Sequence, residues 1–249
     1  MAEPPQRDDP KTDHACLDAG RQTRVGGPAL MLCLCAAFLA VPALLLAAAA
    51  TGAASSRHKP GRQCQSRHAH LIAADAVAQV YETYEAGQLT VFGCAYGHRS
   101  VYNLGAVASC GGGGGSCGGI SRETLAGPIV AFAEGSSAGA LSLGGGAAHE
   151  FVVVCDLRSG RAVHRVPTGP SPSHEGIGPA EAIVLKGDGA VAWIVQTSPE
   201  EGTYQVQALD RSGTRKLASG ADIDPHSLAL AGSTLYWIQA GKPISAPLN

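Results

Sequence analysis

An all-β fold of about four stacked, antiparallel, four-stranded modules is predicted by three observations. The first is an internal repeat. Leu125–Phe132 (L-A-G-P-I-V-A-F), Leu185–Trp193 (L-K-G-D-G-A-V-A-W) and Leu230–Trp237 (L-A-G-S-T-L-Y-W) all run Leu, one residue, Gly, an apolar stretch, then an aromatic. The one extra residue of the middle copy falls at Asp188-Gly189, a hairpin turn, where an insertion costs least. The second is a recurring strand–turn–strand unit. F-V-V-V-C-D (Phe151–Asp156) passes through Arg158-Ser159-Gly160 into R-A-V-H-R-V, and Y-Q-V-Q-A-L (Tyr204–Leu209) passes through Arg211-Ser212-Gly213 into T-R-K-L. The third is composition: 33 glycines with only 15% charged and 5% aromatic residues suits turn-rich β-structure better than helix. One small sheet cannot bury its own apolar face, so repeats of this size stack.

In chain order, residues 1–27 are polar, Pro-containing and mixed in charge, and read as a disordered extension. Residues 28–54 read as a hydrophobic helix, either a signal peptide or a membrane anchor. Pro28–Ala50 carries no charge, and about 20 apolar residues suffice to span a bilayer. Gly52 and Ala54 would suit a cut before Ser55. Arg21 and Arg24 precede the stretch while Arg57, Lys59, Arg62 and Arg67 follow it, so basic charge sets no orientation. Cys33 and Cys35 lie inside the apolar run and none stands at the cut, which argues against a lipoprotein. Residues 55–69 form a basic linker, and residues 70–249 the β-domain.

Within the domain the modules fall at about 70–105, 121–169, 180–220 and 225–248. The segment from Leu71 to Tyr84 also keeps a helical period, but the repeat favours two strands, 71–74 and 77–82, straddling Asp75. Leu89–Tyr96 and S-V-Y-N-L-G then complete the first module. The last module runs out of chain after about three strands, and the piece near Leu71 is the candidate to complete it. Between strands lie low-complexity inserts at 111–119, 135–146 and 168–179, read as flexible loops.

Five cysteines follow the apolar stretch, so at most two bridges form among them. Cys110 and Cys117 bracket the five-glycine loop and Cys64 and Cys94 are plausible partners, which leaves Cys155 over. This usage points to an oxidising compartment.

No catalytic constellation emerges. The glycine run lacks the Gly-Lys-Ser/Thr of a phosphate loop. Gly135-Ser136-Ser137-Ala138-Gly139 matches a nucleophile pattern around Ser137, but reads as a flexible loop with no helix after it. His68 and His70, His149-Glu150, His174-Glu175, and Asp222, Asp224 and His226 are candidate metal ligands. None has helical His-x-x-x-His spacing, and D-I-D-P-H-S more simply makes a turn. Phe132, Trp193 and Trp237 recur at one place in the repeat and so read as core rather than a sugar-stacking set, while Arg158 and Arg211 read as solvent-facing turn residues. Catalytic, cofactor-binding and metal sites are therefore all expected to be none. A net charge of −2 excludes a nucleic-acid surface, which needs clustered Lys and Arg.

The modules, with an aromatic closing the second strand and D-L-R-S-G or L-D-R-S-G turning the third into the fourth, resemble blades of WD40-like or TolB-like β-propeller repeats in exported bacterial proteins. The resemblance covers about Leu71 to Leu248, without a Trp-Asp dipeptide ending any strand. Four blades is at the small end for propellers, so an incomplete ring, a β-sandwich and a ring completed by a dimer all stay open. The resemblance implies a non-catalytic binding protein, secreted or anchored to the plasma membrane through residues 28–50, that recognises a protein or cell-envelope ligand. The alternatives are a propeller-fold hydrolase or lyase whose site gathers only in three dimensions, and a structural cell-surface protein.

Overall fold

A computed structural model describes Cys16, Cys64 and residues 68–98, 100–107, 109–110, 117–137, 148–169, 180–198 and 200–249. Almost all of the extension, the apolar stretch and the linker, together with His174-Glu175, lie outside the described residues.

Every described element is a strand, and the strands form four antiparallel sheets in chain order. The first sheet is β1 (His70–Ala74), β2 (Ala78–Glu85), β3 (Gln88–Ala95) and β4 (Tyr102–Ala106). The second is β5 (Ser109–Cys110), β6 (Cys117–Ala126), β7 (Ile129–Ser137), β8 (Ala148–Asp156) and β9 (Arg161–Pro167). The third is β10 (Ala180–Leu185), β11 (Val191–Ser198), β12 (Thr203–Asp210) and β13 (Gly213–Gly220). The fourth is β14 (Ala229–Ala231), β15 (Thr234–Gln239) and β16 (Lys242–Pro247). Each strand pairs with its neighbour in sequence, so every sheet is a meander.

The three Leu-to-aromatic segments are the β6–β7, β10–β11 and β14–β15 hairpins of the second, third and fourth sheets. Leu125 pairs with Val130 and Leu230 with Leu235, whereas Leu185 pairs with Val191, the extra residue lying in the turn. There Gly189 takes φ 93°, a conformation that suits glycine, and the Asp188 carboxylate accepts the Ala190 N–H at 3.2 Å. Asp75, Asp156, Asp210 and Asp224 each accept the N–H two residues on in the same way.

Side-chain alternation along the inner strands sends residues to both faces of the middle sheets. On β7, Val130 and Phe132 pack with Val80, Val91 and Leu104 of the first sheet. Ile129 and Ala131 of the same strand pack with Val191, Trp193 and Val195 of the third. On β11, Ala192 and Ile194 turn the other way, to Leu235 and Trp237 of the fourth. Phe132, Trp193 and Trp237 therefore each face the preceding sheet, as core residues. Tyr81 of β2 holds the equivalent place in the first sheet. It is buried, stacked on Phe92 with ring centroids 5.7 Å apart. The β8–β9 turn locks the first interface, because Leu157 is fully buried and Gly160 lies where an added Cβ would meet the Tyr102 ring.

Several expectations change. The second sheet gains a fifth strand, Ser109–Cys110, beyond the four expected, whereas the fourth has three strands, as the run-out of chain predicts. The piece near Leu71 does not complete the last sheet. The Asp75 carboxylate takes the N–H groups of Val77 (2.6 Å) and Ala78 (2.9 Å), and this tight turn returns β1 onto β2. Gly135–Ser137 belong to β7 rather than to a loop.

Cys64 bonds Cys94 as expected, but Cys155 is not left over: it bonds Cys16, from before the apolar stretch. Counting only the cysteines after that stretch hid the pair. The register sets Cys110 opposite Cys117; their side chains lie outside the description. Two bridges suit an oxidising, extracytoplasmic setting.

The fourth sheet ends on β16, whose outer edge carries few donors. Ile238 opposes Pro243 but directs its own N–H to Ser227 Oγ and its C=O to the Asp224 N–H, away from β16. By antiparallel alternation, Pro243, Ser245 and Pro247 turn their backbone groups outward. Two of these three lack an N–H, and the Pro247 C=O accepts Arg215 Nη2 at 2.7 Å. Replacing Pro243 and Pro247 together by Val should open this edge, and sedimentation velocity should show concentration-dependent self-association absent from the parent. Trp193 is fully buried and donates from Nε1 to the Thr168 C=O at 2.9 Å. Trp193→Phe should cost about 1–3 kcal/mol, from the unpaired carbonyl and the lost volume, by urea unfolding followed by circular dichroism.

Candidate functional site

Strands β1, β6, β10 and β14 run beside one another: β1 contacts β6, β6 contacts β10, and β10 contacts β14. Polar side chains gather where β6 and β10 meet. A register shift between Ser121 and Thr124 puts a bulge into β6, and Arg122 sits in it at φ 60°. A non-glycine residue held there costs on the order of 1–3 kcal/mol, and bulges re-aim side chains. Arg122 reaches the third sheet, donating from Nε to the Ala180 C=O at 3.3 Å and from Nη2 to Glu181 Oε2 at 3.2 Å.

Glu150 of β8 meets the backbone of the same residue at its N–H. Its Oε2 accepts the Ala180 N–H at 2.6 Å. Its backbone C=O accepts both the N–H (2.9 Å) and the hydroxyl (3.1 Å) of Thr168, whose own C=O receives Trp193. One network thus links the core aromatic of the third sheet to a carboxylate of the second. The indole of Trp237 has no such partner.

Burial pushes the Glu150 carboxyl up to about 7; neighbouring Glu181 adds to the rise, and the Ala180 N–H and Arg122 oppose it. Glu123, beside Arg122, is raised by burial and by Glu82 of β2, against a backbone hydrogen bond and Arg122. Glu82 in turn holds His70 Nδ1 at 3.1 Å. The arrangement is chemically mixed: Glu150 is a carboxyl whose hold on its proton is strengthened by burial, and close to it Glu181 pairs with the Arg122 guanidinium.

Of the residues noted in the sequence, Glu150 belongs to this junction and His70 lies at its margin. His226 and Asp224 form an exposed turn, with the His226 N–H on Asp224 Oδ1 at 3.0 Å. The side chains of His149 and Ser137 lie outside the description, and among the described residues no three His, Cys, Asp or Glu gather to hold a metal ion. Arg158 and Arg211 are exposed turn residues, Arg158 paired with Asp156 at 2.9 Å. Arg122 and Glu181 went unnoticed because their meeting depends on a bulge that no residue pattern marks.

A second feature is a cavity of about 170 Å³ at the opposite turns, lined by His164, Asp188, Ala190, Asp210, Arg211 and Asn249. Its acids are already engaged, Asp188 with Lys186 and Asp210 with Arg215 and the N–H groups of Ser212 and Asn249. Burial lowers His164 and so favours its neutral form.

Comparison with protein-family models, curated proteins and solved structures finds no match to this chain.

Glu150 carries a sign for stability against pH. Its carboxyl binds its proton more tightly folded (about 7) than at the ordinary value of 4.5. The folded state therefore holds the extra proton between these values, and stability falls as pH rises from about 4.5 to 7. Glu150→Gln keeps an acceptor for Ala180 and should flatten this part of the profile, measured as urea midpoints at pH 5 to 8 compared with the parent.

Proposed function

We propose that the chain is an extracytoplasmic binding protein, secreted or held at the plasma membrane through residues 28–50, with a β-propeller-like scaffold of four blades that recognises a protein or cell-envelope ligand. The observation that carries the reading is the use of both faces of the second and third sheets in packing. Strand ends and loops are then the surfaces left for recognition, a common division of labour on rigid scaffolds. The β6–β10 junction supplies directional groups there, with Arg122 about half exposed. The disulfides suit the proposed compartment.

A second reading, a hydrolase or lyase, is favoured by one observation. A carboxylic acid with a pKa of about 7 beside a paired carboxylate is the pairing that acid–base chemistry at neutral pH requires.

The test is binding of the oxidised full chain to envelope preparations separated into protein and polysaccharide fractions. Arg122→Ala and Glu181→Gln should each weaken retention on one fraction by roughly ten- to a hundred-fold, the worth of a charge-assisted hydrogen bond. Unchanged retention would remove this junction from the recognition surface. Turnover of an envelope polymer that Glu150→Gln abolishes would select the enzyme instead.

A further inference from the structure

We infer that the segments before and after the apolar stretch 28–50 lie in one compartment, that of the β-domain, so that this stretch does not cross a membrane once. The flank before it is tied by Cys16, which bonds Cys155 of β8, both sulfurs lying in the core between the first and second sheets. The flank after it is tied by Cys64, which bonds Cys94 of β3, both again buried. A disulfide holds its two Cα atoms about 4.4–6.8 Å apart, here 6.3 and 6.0 Å, so Cys16 and Cys64 both sit on the same folded body. A single crossing would separate the two flanks by about 30 Å of hydrocarbon. It would also leave one of the two cysteines in a reducing compartment, where the bond does not persist.

Charge agrees with this topology. Arg21 and Arg24 on one flank, and Arg57, Lys59, Arg62 and Arg67 on the other, put basic residues on both sides and give a single span no clear orientation.

The compartment rests on the function proposed above; the shared side does not. The experiment uses the full chain in sealed membrane vesicles, with a membrane-impermeant amine reagent and a non-reduced peptide map. Lys11 and Lys59 report the two flanks. Equal labelling of both, or equal protection of both, with the Cys16 peptide recovered joined to that of Cys155, is the expected result. Labelling of one lysine with protection of the other, a free Cys16 thiol, or a mature chain lacking Cys16 would overturn the inference. A chain that never enters the membrane fraction would refute the proposed tether, while the peptide map would still decide the bridge.

Discussion

Two-sided burial of the second and third sheets is the constraint on which the rest of the structure depends. Strand alternation lets β7, β8 and β11 supply two interfaces each, so consecutive residues such as Val130 and Ala131, or Trp193 and Ile194, enter different cores. With 5% aromatic residues, the chain puts Phe132 and both tryptophans at one repeated place, on β7, β11 and β15 against the preceding sheet. Val, Ala and Ile fill the remainder. Buried apolar surface stabilises by roughly 25 cal/mol per Å², so a sheet with two covered faces gains twice from the same backbone ordering. Removing one sheet would expose its neighbour's second face.

Much of this was legible because hairpins are local. The Leu-to-aromatic frame located three hairpins and their turn lengths, and aspartates two residues before a turn N–H marked corners that the structure keeps. Tyr81 escaped because its segment lacks the Leu–x–Gly opening, although its place in the sheet is equivalent. The completing role for the Leu71 segment failed on a local detail, the Asp75 turn, which outcompetes a distant partner because closing a short loop costs less entropy than closing a long one. The Arg122–Ala180–Glu150 junction was illegible for the opposite reason. It joins residues far apart in sequence through a bulge and a backbone peptide, and neither leaves a signature in residue types.

That junction has a structural cost and a structural use. Arg122 adopts a positive φ, and Glu150 gives up water for one peptide N–H and a neighbouring carboxylate. Together they satisfy the backbone N–H and C=O of Ala180 as the chain enters β10, where an unpaired buried group would cost about 1–3 kcal/mol. Structural need accounts for the Ala180 contacts. It does not require Glu181, whose pairing leaves Arg122 about half exposed, nor a second raised carboxyl at Glu123. The surplus of ionisable groups, in a chain with 15% charged residues, is what makes this place a candidate for recognition rather than only a joint.

A series of sheets has two ends, and this chain treats them differently. At the first sheet, Tyr81 and Gln79 point away from the second sheet yet are buried, and Cys64 is bonded on that side to Cys94. At the fourth, Tyr236 stays 42% exposed on the outer face, and the outer edge is limited by Pro243 and Pro247. The first end carries a covalent tie at Cys94, and the second is made a poor template for strand addition. A tie at one end only has a consequence for the N-terminal region: its attachment points, Cys94 and Cys155, both belong to the first two sheets.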